Sequence, residues 1–458
     1  MRRVLLSLAL VGLVGASVQA SILTNTNQSV PYIRLLSRNA TTDVDAAYYN
    51  PAGLTRLKDG WHFSLSNQTI FQDRTITNDY LLLNERKYVG ELRVPFFPNF
   101  YAVYKKDRLA ISFGFGPNAG GGSAKYDRGL PAFETAIASI PLLLTSKGLP
   151  TTAYSVGINF EGESAYYGFQ LNLSYAVSDM VSLAGGVRYI YAANKYEGSI
   201  TNIMINPKHP LLNPTGAMVS APAFFAKLGP AFAYYAAATA DMAVDAKQTG
   251  SAFTPVLSLN IRPLENLNLA VLYEFKTNLK LKNDTTKDDV GLFPNGWETQ
   301  SDMPAILGLG AEYSFMPNLR AALSFHYWFD KDVQWDSPST PEEALLPRIN
   351  LIDHNSWDLG FGLEYDVNSM FRLSGGFLHT DIGVNNDYLT DLRHELGSNT
   401  VGVGGRITLS ERLSFDVAAL NVWYLERSKT IAYPPLGSFT ETYKRTSVSL
   451  AVGVNVGF

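Results

Sequence analysis

Ser324, His326 and Asp330 fall on one face of a single alternating stretch, and a hydroxyl, an imidazole and a carboxylate are the groups of a hydrolytic triad. The same face also carries Arg320, and any strand with one wet side displays polar residues at this period. No Gly-x-Ser-x-Gly elbow is present to expose a nucleophile. The six histidines (His62, His209, His326, His354, His379, His394) show no metal-ligand spacing, and the chain has no cysteine. Thiol catalysis, Cys-ligated metals and disulfides are thereby excluded. Gly120-Gly121-Gly122 lacks the Gly-Lys-Ser/Thr ending of a phosphate loop. The expectation is a protein that is not an enzyme and carries no metal or cofactor.

Basic side chains on the wet faces offer a different chemistry. Arg188, Lys276, Arg320, Arg372 and Arg406 are interleaved with Glu274, Glu312, Asp358, Glu364 and Asp416. A ligand carboxylate taken out of water needs a cation beside it. Arg188 and Lys276 are the first candidates, since each lies toward the outer half of a strand leading to a long loop. Pairing with a wall carboxylate is the alternative for each of the five. The net charge of −4 leaves no basic footprint for nucleic acid.

Period-two alternation then organises the chain. Fourteen candidate strands are read at 61–71, 96–105, 108–116, 165–177, 181–192, 254–262, 267–281, 304–315, 319–330, 357–365, 369–379, 399–409, 412–424 and 447–458. In the clearest, Leu267, Leu269, Val271, Tyr273, Phe275, Thr277, Leu279 and Leu281 alternate with Asn268, Ala270, Leu272, Glu274, Lys276, Asn278, Lys280 and Lys282. Charges and apolar groups on opposite faces demand two solvents, lipid outside and water or protein inside. Tight connections such as Lys106-Asp107, Met316-Pro317-Asn318 and Ser410-Glu411 alternate with long ones, the largest at 117–164 and 193–253. Short turns on one side and long loops on the other are the pattern of an antiparallel transmembrane β-barrel. Aromatic content of 12% and 37 glycines suit that class. A closed barrel has no free edge, so a monomer is expected.

The two ends agree. Arg2-Arg3, an apolar core from Val4 to Gly15 and Val18-Gln19-Ala20 form an export signal over 1–20, cleaved near Ala20. The final strand ends on Phe458, an aromatic terminus suited to outer-membrane insertion machinery. Bacterial outer-membrane lipid and lipopolysaccharide are therefore expected surroundings. Fourteen strands enclose more space than their own side chains fill. Residues 21–60 precede the first strand and are too few for a domain, so they are expected to fold inside the barrel (61–458) as a plug.

Within that segment Asn50-Pro51-Ala52-Gly53-Leu54 follows Asp43, Asp45, Tyr48 and Tyr49. This motif, after an export signal and before strand one of fourteen, resembles the N-terminal hatch of the long-chain fatty acid transporter family, the FadL family, which includes toluene-type hydrocarbon channels. The resemblance implies a hatch-plugged barrel that passes hydrophobic molecules inward by diffusion and releases them sideways through the wall. It assigns capture to apolar long loops, here Leu142, Leu143 and Leu144 with Phe224, Phe225, Phe232, Tyr234 and Tyr235. It also assigns the lateral opening to a kink in strand three, here Gly114, Gly116 and Pro117. Long-chain fatty acids are the first expected cargo. An aromatic hydrocarbon channel and a structural or adhesin-like barrel remain open alternatives.

Overall fold

The computed structural model describes residues 24–333, 338, 340, 341, 343–345, 347, 349–433 and 437–458, so the export signal over 1–20 lies outside the described residues. The strands are β1 (Gly60–Asn78), β2 (Lys87–Lys106), β3 (Leu109–Tyr126), β4 (Tyr154–Ala176), β5 (Val181–Ile205) and β6 (Met242–Leu264). Two strands then come in two segments each: β7 (Leu267–Glu274 and Lys280–Asp288) and β8 (Glu298–Gln300 and Ile306–Met316). The remainder are β9 (Leu319–Trp328), β10 (Trp357–Asp366), β11 (Phe371–Asp381), β12 (Ser398–Ser410), β13 (Leu413–Tyr424 and Arg427–Ala432) and β14 (Ser438–Gly457). Each pairs antiparallel with its neighbours, and β1 pairs with both β2 and β14, closing a 14-stranded barrel.

Alternation makes the wall. On β14, Val448, Leu450 and Val452 point out and are about half exposed, while Ser447, Ser449 and Ala451 face in and are buried. The strands run far beyond the roughly 10 residues that cross a bilayer: β4 has 23 and β5 has 25. The expected loops 117–164 and 193–253 are accordingly shorter than read, because their ends continue as β3, β4, β5 and β6.

The strand read as unbroken over 267–281 needs correcting. Its ladder stops at Glu274 and resumes at Lys280, and the buried parity switches there. Leu272 and Glu274 are buried below the break, whereas Leu279 and Leu281 are buried above it and Lys280 and Lys282 are exposed. One inserted residue flips every later side chain to the other face. The flip is what the surroundings require: above the membrane the inside becomes the apolar side and the outside becomes water.

The segment from Thr24 to Leu57 is enclosed by this wall. Its elements are α1 (Val30–Leu35), α2 (Ala46–Tyr49) and a 3-10 turn (Pro51–Arg56). Ser29 caps α1, its hydroxyl accepting from the Tyr32 amide at 3.1 Å, and Leu36 ends the helix in the left-handed region at φ 55°. Nearly all its residues are buried. Gly376 on β11 and Gly402 on β12 make room for it: a Cβ on either would strike the backbone carbonyl of Leu35 or Ile33.

Candidate functional site

The Asn50–Leu54 motif is bound to the wall on several sides. Asn50 Nδ2 donates to the Thr41 carbonyl at 2.9 Å and to Asn260 Oδ1 on β6 at 2.7 Å. Ser258 donates to Asn50 Oδ1 at 3.2 Å and accepts from the Ala52 amide at 3.3 Å. Pro51 at the first position of the 3-10 turn lacks an amide that would have no partner there, and its carbonyl accepts from Ser174 on β4 at 2.7 Å. Gly53 lies so close to Asn50 Nδ2 and the Thr41 carbonyl that a side chain would displace both. Leu54 is fully buried. Arg38 gathers the two acids, with Nη2 3.0 Å from Asp43 and 2.6 Å from Asp45.

The N-terminal tip of this segment lies against a break in the wall. The β2–β3 ladder runs from Lys106/Leu109 to Phe100/Phe115, then resumes only at Leu92/Ala124. Across the same stretch β3 pairs with β4 through irregularities at Pro117/Ala119 and Gly120/Gly122. Pro117 has no amide to donate, and Gly120 and Gly122 hold φ of +79° and +94°, which glycine adopts without strain. Gly114 is still paired, with Tyr101, just before this unpaired stretch, and Gly116 is its first residue on β3. Asn25 lies behind it: its amide donates to Asn118 O at 2.7 Å, and its Nδ2 to Gly120 O at 2.8 Å and Pro117 O at 3.3 Å. Gln28 Nε2 donates to Pro117 O at 2.7 Å, while Asn99 on β2 donates to Gln28 Oε1 at 2.6 Å. Gly116 leaves the room that Gln28 and Asn99 occupy.

A cavity of about 320 Å³ opens behind this seal. Its floor is the tip from Thr24 to Asn27 with Tyr32 and Leu36, and it reaches Phe97, Gly120 and Gly122 at the wall break. Ile70, Leu92, Leu378, Leu420 and Val422 make its sides greasy, and Arg74, Arg445 and the 391–396 stretch form its upper part. The loop above is tied to the outer helices: Asp391 accepts from the Ala132 amide at 2.7 Å, at the start of α3 (Pro131–Ala138). Burial, reinforced by Glu441, holds the Asp391 carboxyl well above the usual carboxylate range. Burial, reinforced by Arg445 and Arg74, keeps His394 well below the usual imidazole range and so neutral.

The lumenal cations expected at Arg188 and Lys276 are engaged elsewhere. Arg188 is buried, makes a two-pronged pair with Glu274 at 2.7 and 2.9 Å, and stacks over the Tyr48 ring at 4.6 Å. Lys276 Nζ is 3.0 Å from Asp302 and donates to Asp332 O at 3.2 Å, beside the strand break. Neither lines the large cavity. Arg320, Arg372 and Arg406 also hold wall or plug acids. Sequence reading missed Arg74, because the first strand was ended at residue 71; extending its inward parity through Gln72 would have reached it.

The apolar loop residues form chiefly a lid interior. Leu144, Phe224 and Phe225 are buried, and Phe225 stacks near Phe232 and Tyr235 at ring separations of 6.5 and 5.5 Å. Leu142 and Tyr234 remain exposed. A separate apolar groove is lined by Phe133, Phe160, Ile200, Met242, Leu292 and Phe293. His326 hydrogen-bonds Asp358 rather than Ser324, whose hydroxyl meets Ser37 and Asn39, so the three suspected triad groups do not assemble.

No model of a known protein family and no curated protein matches this sequence. Solved structures do. A FadL homologue from Pseudomonas aeruginosa matches with a TM-score of 0.66 at 14% identity, covering 96% of this chain and 100% of that one. The toluene transporter TodX of Pseudomonas putida matches at 0.61 and 12% identity over 96% and 100% of the two chains. The toluene transporter TbuX of Ralstonia pickettii matches at 0.54 and 17% over 91% and 94%. This chain therefore has the 14-stranded barrel fold that the FadL homologue and the two toluene transporters share.

Proposed function

We propose that this protein is a FadL-type channel of the bacterial outer membrane that lets hydrophobic compounds diffuse inward, with long-chain fatty acids as the first cargo. The observation that carries the reading is the unpaired stretch between β2 and β3, which meets a lumenal cavity and, among the described residues, is held by Asn25 and Gln28 of the N-terminal segment. A structural barrel has no use for that arrangement.

Greasy solutes arriving from water need an apolar surface first. The groove around Phe133, Phe160 and Phe293 supplies one at the outer face. The cargo then enters the cavity above the hatch. Displacement of Asn25 and Gln28 from the wall opens the side exit at Gly116 and Pro117, toward lipid. The Asn50–Leu54 motif anchors the rest of the hatch while its tip moves. Export by the 1–20 signal, insertion through Phe458 and a monomeric state complete the reading.

An aromatic hydrocarbon cargo is the second reading, favoured by the toluene transporters among the structural matches. Uptake of labelled hexadecanoate and of toluene by cells carrying the wild-type chain, or a variant with Asn25 cross-linked to the wall, tests the proposal. Uptake that the cross-link leaves untouched would refute passage through this exit.

A further inference from the structure

The lipid-facing row of β1 is apolar at Trp61, Leu65 and Phe71, each about half exposed, but Asn67 and Thr69 interrupt it. A polar side chain turned toward hydrocarbon is costly and marks a use. Both find partners on the adjacent strand. Asn67 Nδ2 and the Thr69 hydroxyl each donate to the Pro95 carbonyl of β2 at 3.1 Å, and the Phe97 amide donates to Asn67 Oδ1 at 3.0 Å. What they hold is a bulge. The β1–β2 register jumps from Gln68/Phe97 to Ile70/Val94, so Pro95 and Phe96 together oppose Thr69. The bulge turns the strand over: Tyr88 and Leu92 face inward above it, whereas Phe97, Asn99 and Tyr101 face inward below it, and Phe96 projects toward lipid. Phe97 is thereby aimed at the opening. It stands in the stretch of β2 that lacks a β3 partner, it is buried, and it lines the cavity with Gly120 and Gly122. Opposite it, β3 offers Pro117, Asn118 and otherwise only small residues from Gly116 to Ser123. Among the described residues Phe97 joins neither packed apolar cluster beside it: Tyr101 and Val103 pack with the hatch, Tyr88 and Leu92 under the lid.

A ring held at the edge of an opening, yet not packed into either core, fits the part of a gauge. Resting on the transport reading above, we propose that the Phe97 ring sets the cross-section of the hydrophobic molecules that leave through the side exit, and that Asn67 and Thr69 are positioning residues that hold it there through the bulge. The hatch tip governs whether the exit is open, and Phe97 governs what fits. Bulges re-aim side chains beside functional sites, and this one places an aromatic ring where regular pairing would have turned it to lipid. An apolar ring offers a passing molecule no hydrogen bond, so it discriminates by shape alone. A slender chain or a single ring slides past it, and a broad fused-ring body meets it.

The test is uptake of labelled hexadecanoate, toluene and the fused-ring hydrocarbon pyrene by cells carrying the full-length wild type, F97A, F97L, N67L/T69V or T69S. Heat-modifiable mobility verifies that each barrel is closed. Wild type should admit hexadecanoate or toluene and hold pyrene back. F97A should raise the ratio of pyrene to slender-probe uptake about tenfold, the scale on which hydrophobic sites discriminate by shape. F97L, a milder truncation, should move the ratio the same way by less. N67L/T69V restores an apolar lipid face but frees the bulge, so it should raise the ratio too, while T69S, which keeps the hydroxyl, should retain the wild-type ratio. Pyrene entering wild type as readily as the slender probes, or an unchanged ratio in both F97A and F97L, would overturn the gauge while leaving the transport reading standing. An unchanged ratio in N67L/T69V would overturn the positioning roles. If no probe enters faster than in cells lacking the protein, the gauge and the transport reading fall together.

Discussion

Loosening the hatch tip is the perturbation with the most direct consequence. Four side-chain hydrogen bonds join the tip to the wall break: Asn25 Nδ2 to Pro117 and Gly120, Gln28 Nε2 to Pro117, and Asn99 Nδ2 to Gln28 Oε1. A hydrogen bond contributes about 1 kcal/mol net in a folded protein. The 3.3 Å contact to Pro117 counts for less. The double variant N25A/Q28A should therefore shift the closed-to-open balance by about 3 kcal/mol, and each 1.4 kcal/mol is tenfold. Opening should rise by roughly two powers of ten. The barrel itself should not weaken, because the strand ladders on either side of the break are untouched. Amide exchange reports the opening directly: the Asn25 amide, held by Asn118 O, should exchange about a hundredfold faster, while amides of β4 and β5 keep their wild-type rates. Uptake of labelled cargo should rise in parallel until capture at the outer face limits it. Unchanged exchange at Asn25, or exchange that speeds up throughout the barrel, would refute the idea of a local seal.

Other perturbations separate structural charges from functional ones. R188Q leaves Glu274 buried without its partner, and removing one member of a buried pair costs about 3–5 kcal/mol; thermal unfolding should come earlier. G376V drives a side chain into the Leu35 carbonyl, so the hatch should lose protease resistance although the barrel still closes. For Asp391 the folded carboxyl titrates above its unfolded value. Its contribution is fully present below the unfolded pKa and is lost as pH rises through the raised one. The 382–397 loop should then lose protection, measured against the intrinsic exchange rate, as pH rises through that raised value, and D391N, which keeps the uncharged form, should flatten that loss.

The barrel was legible because each strand obeys a local rule. Alternation in β14, from Ser447 to Phe458, needs only lipid on one side and a polar interior on the other, and the short turns between strands announce themselves by residue type. The turn at Asn50-Pro51 was legible for a similar reason, since proline fixes backbone geometry within a few residues. Where the surroundings change along one strand, the rule fails. The Leu279 and Leu281 side chains carry the same pattern as Leu269 and Val271, yet they sit inside, because the strand has left the bilayer and slipped by one residue. In sequence Arg188 and Lys276 looked available to a ligand; only packing decided that Glu274 and Asp302 would take them.

Sequence by itself determined the wall, its count of strands and the turns, since these follow from side-chain period and backbone preference over short spans. Tertiary structure alone decided which acids take Arg188 and Lys276, where the ladder opens and what lies behind it. Those outcomes depend on residues far apart in the chain, such as Asn25 with Gly120 and Arg74 with Arg445, meeting at distances of a few ångströms, and no local period encodes such a meeting.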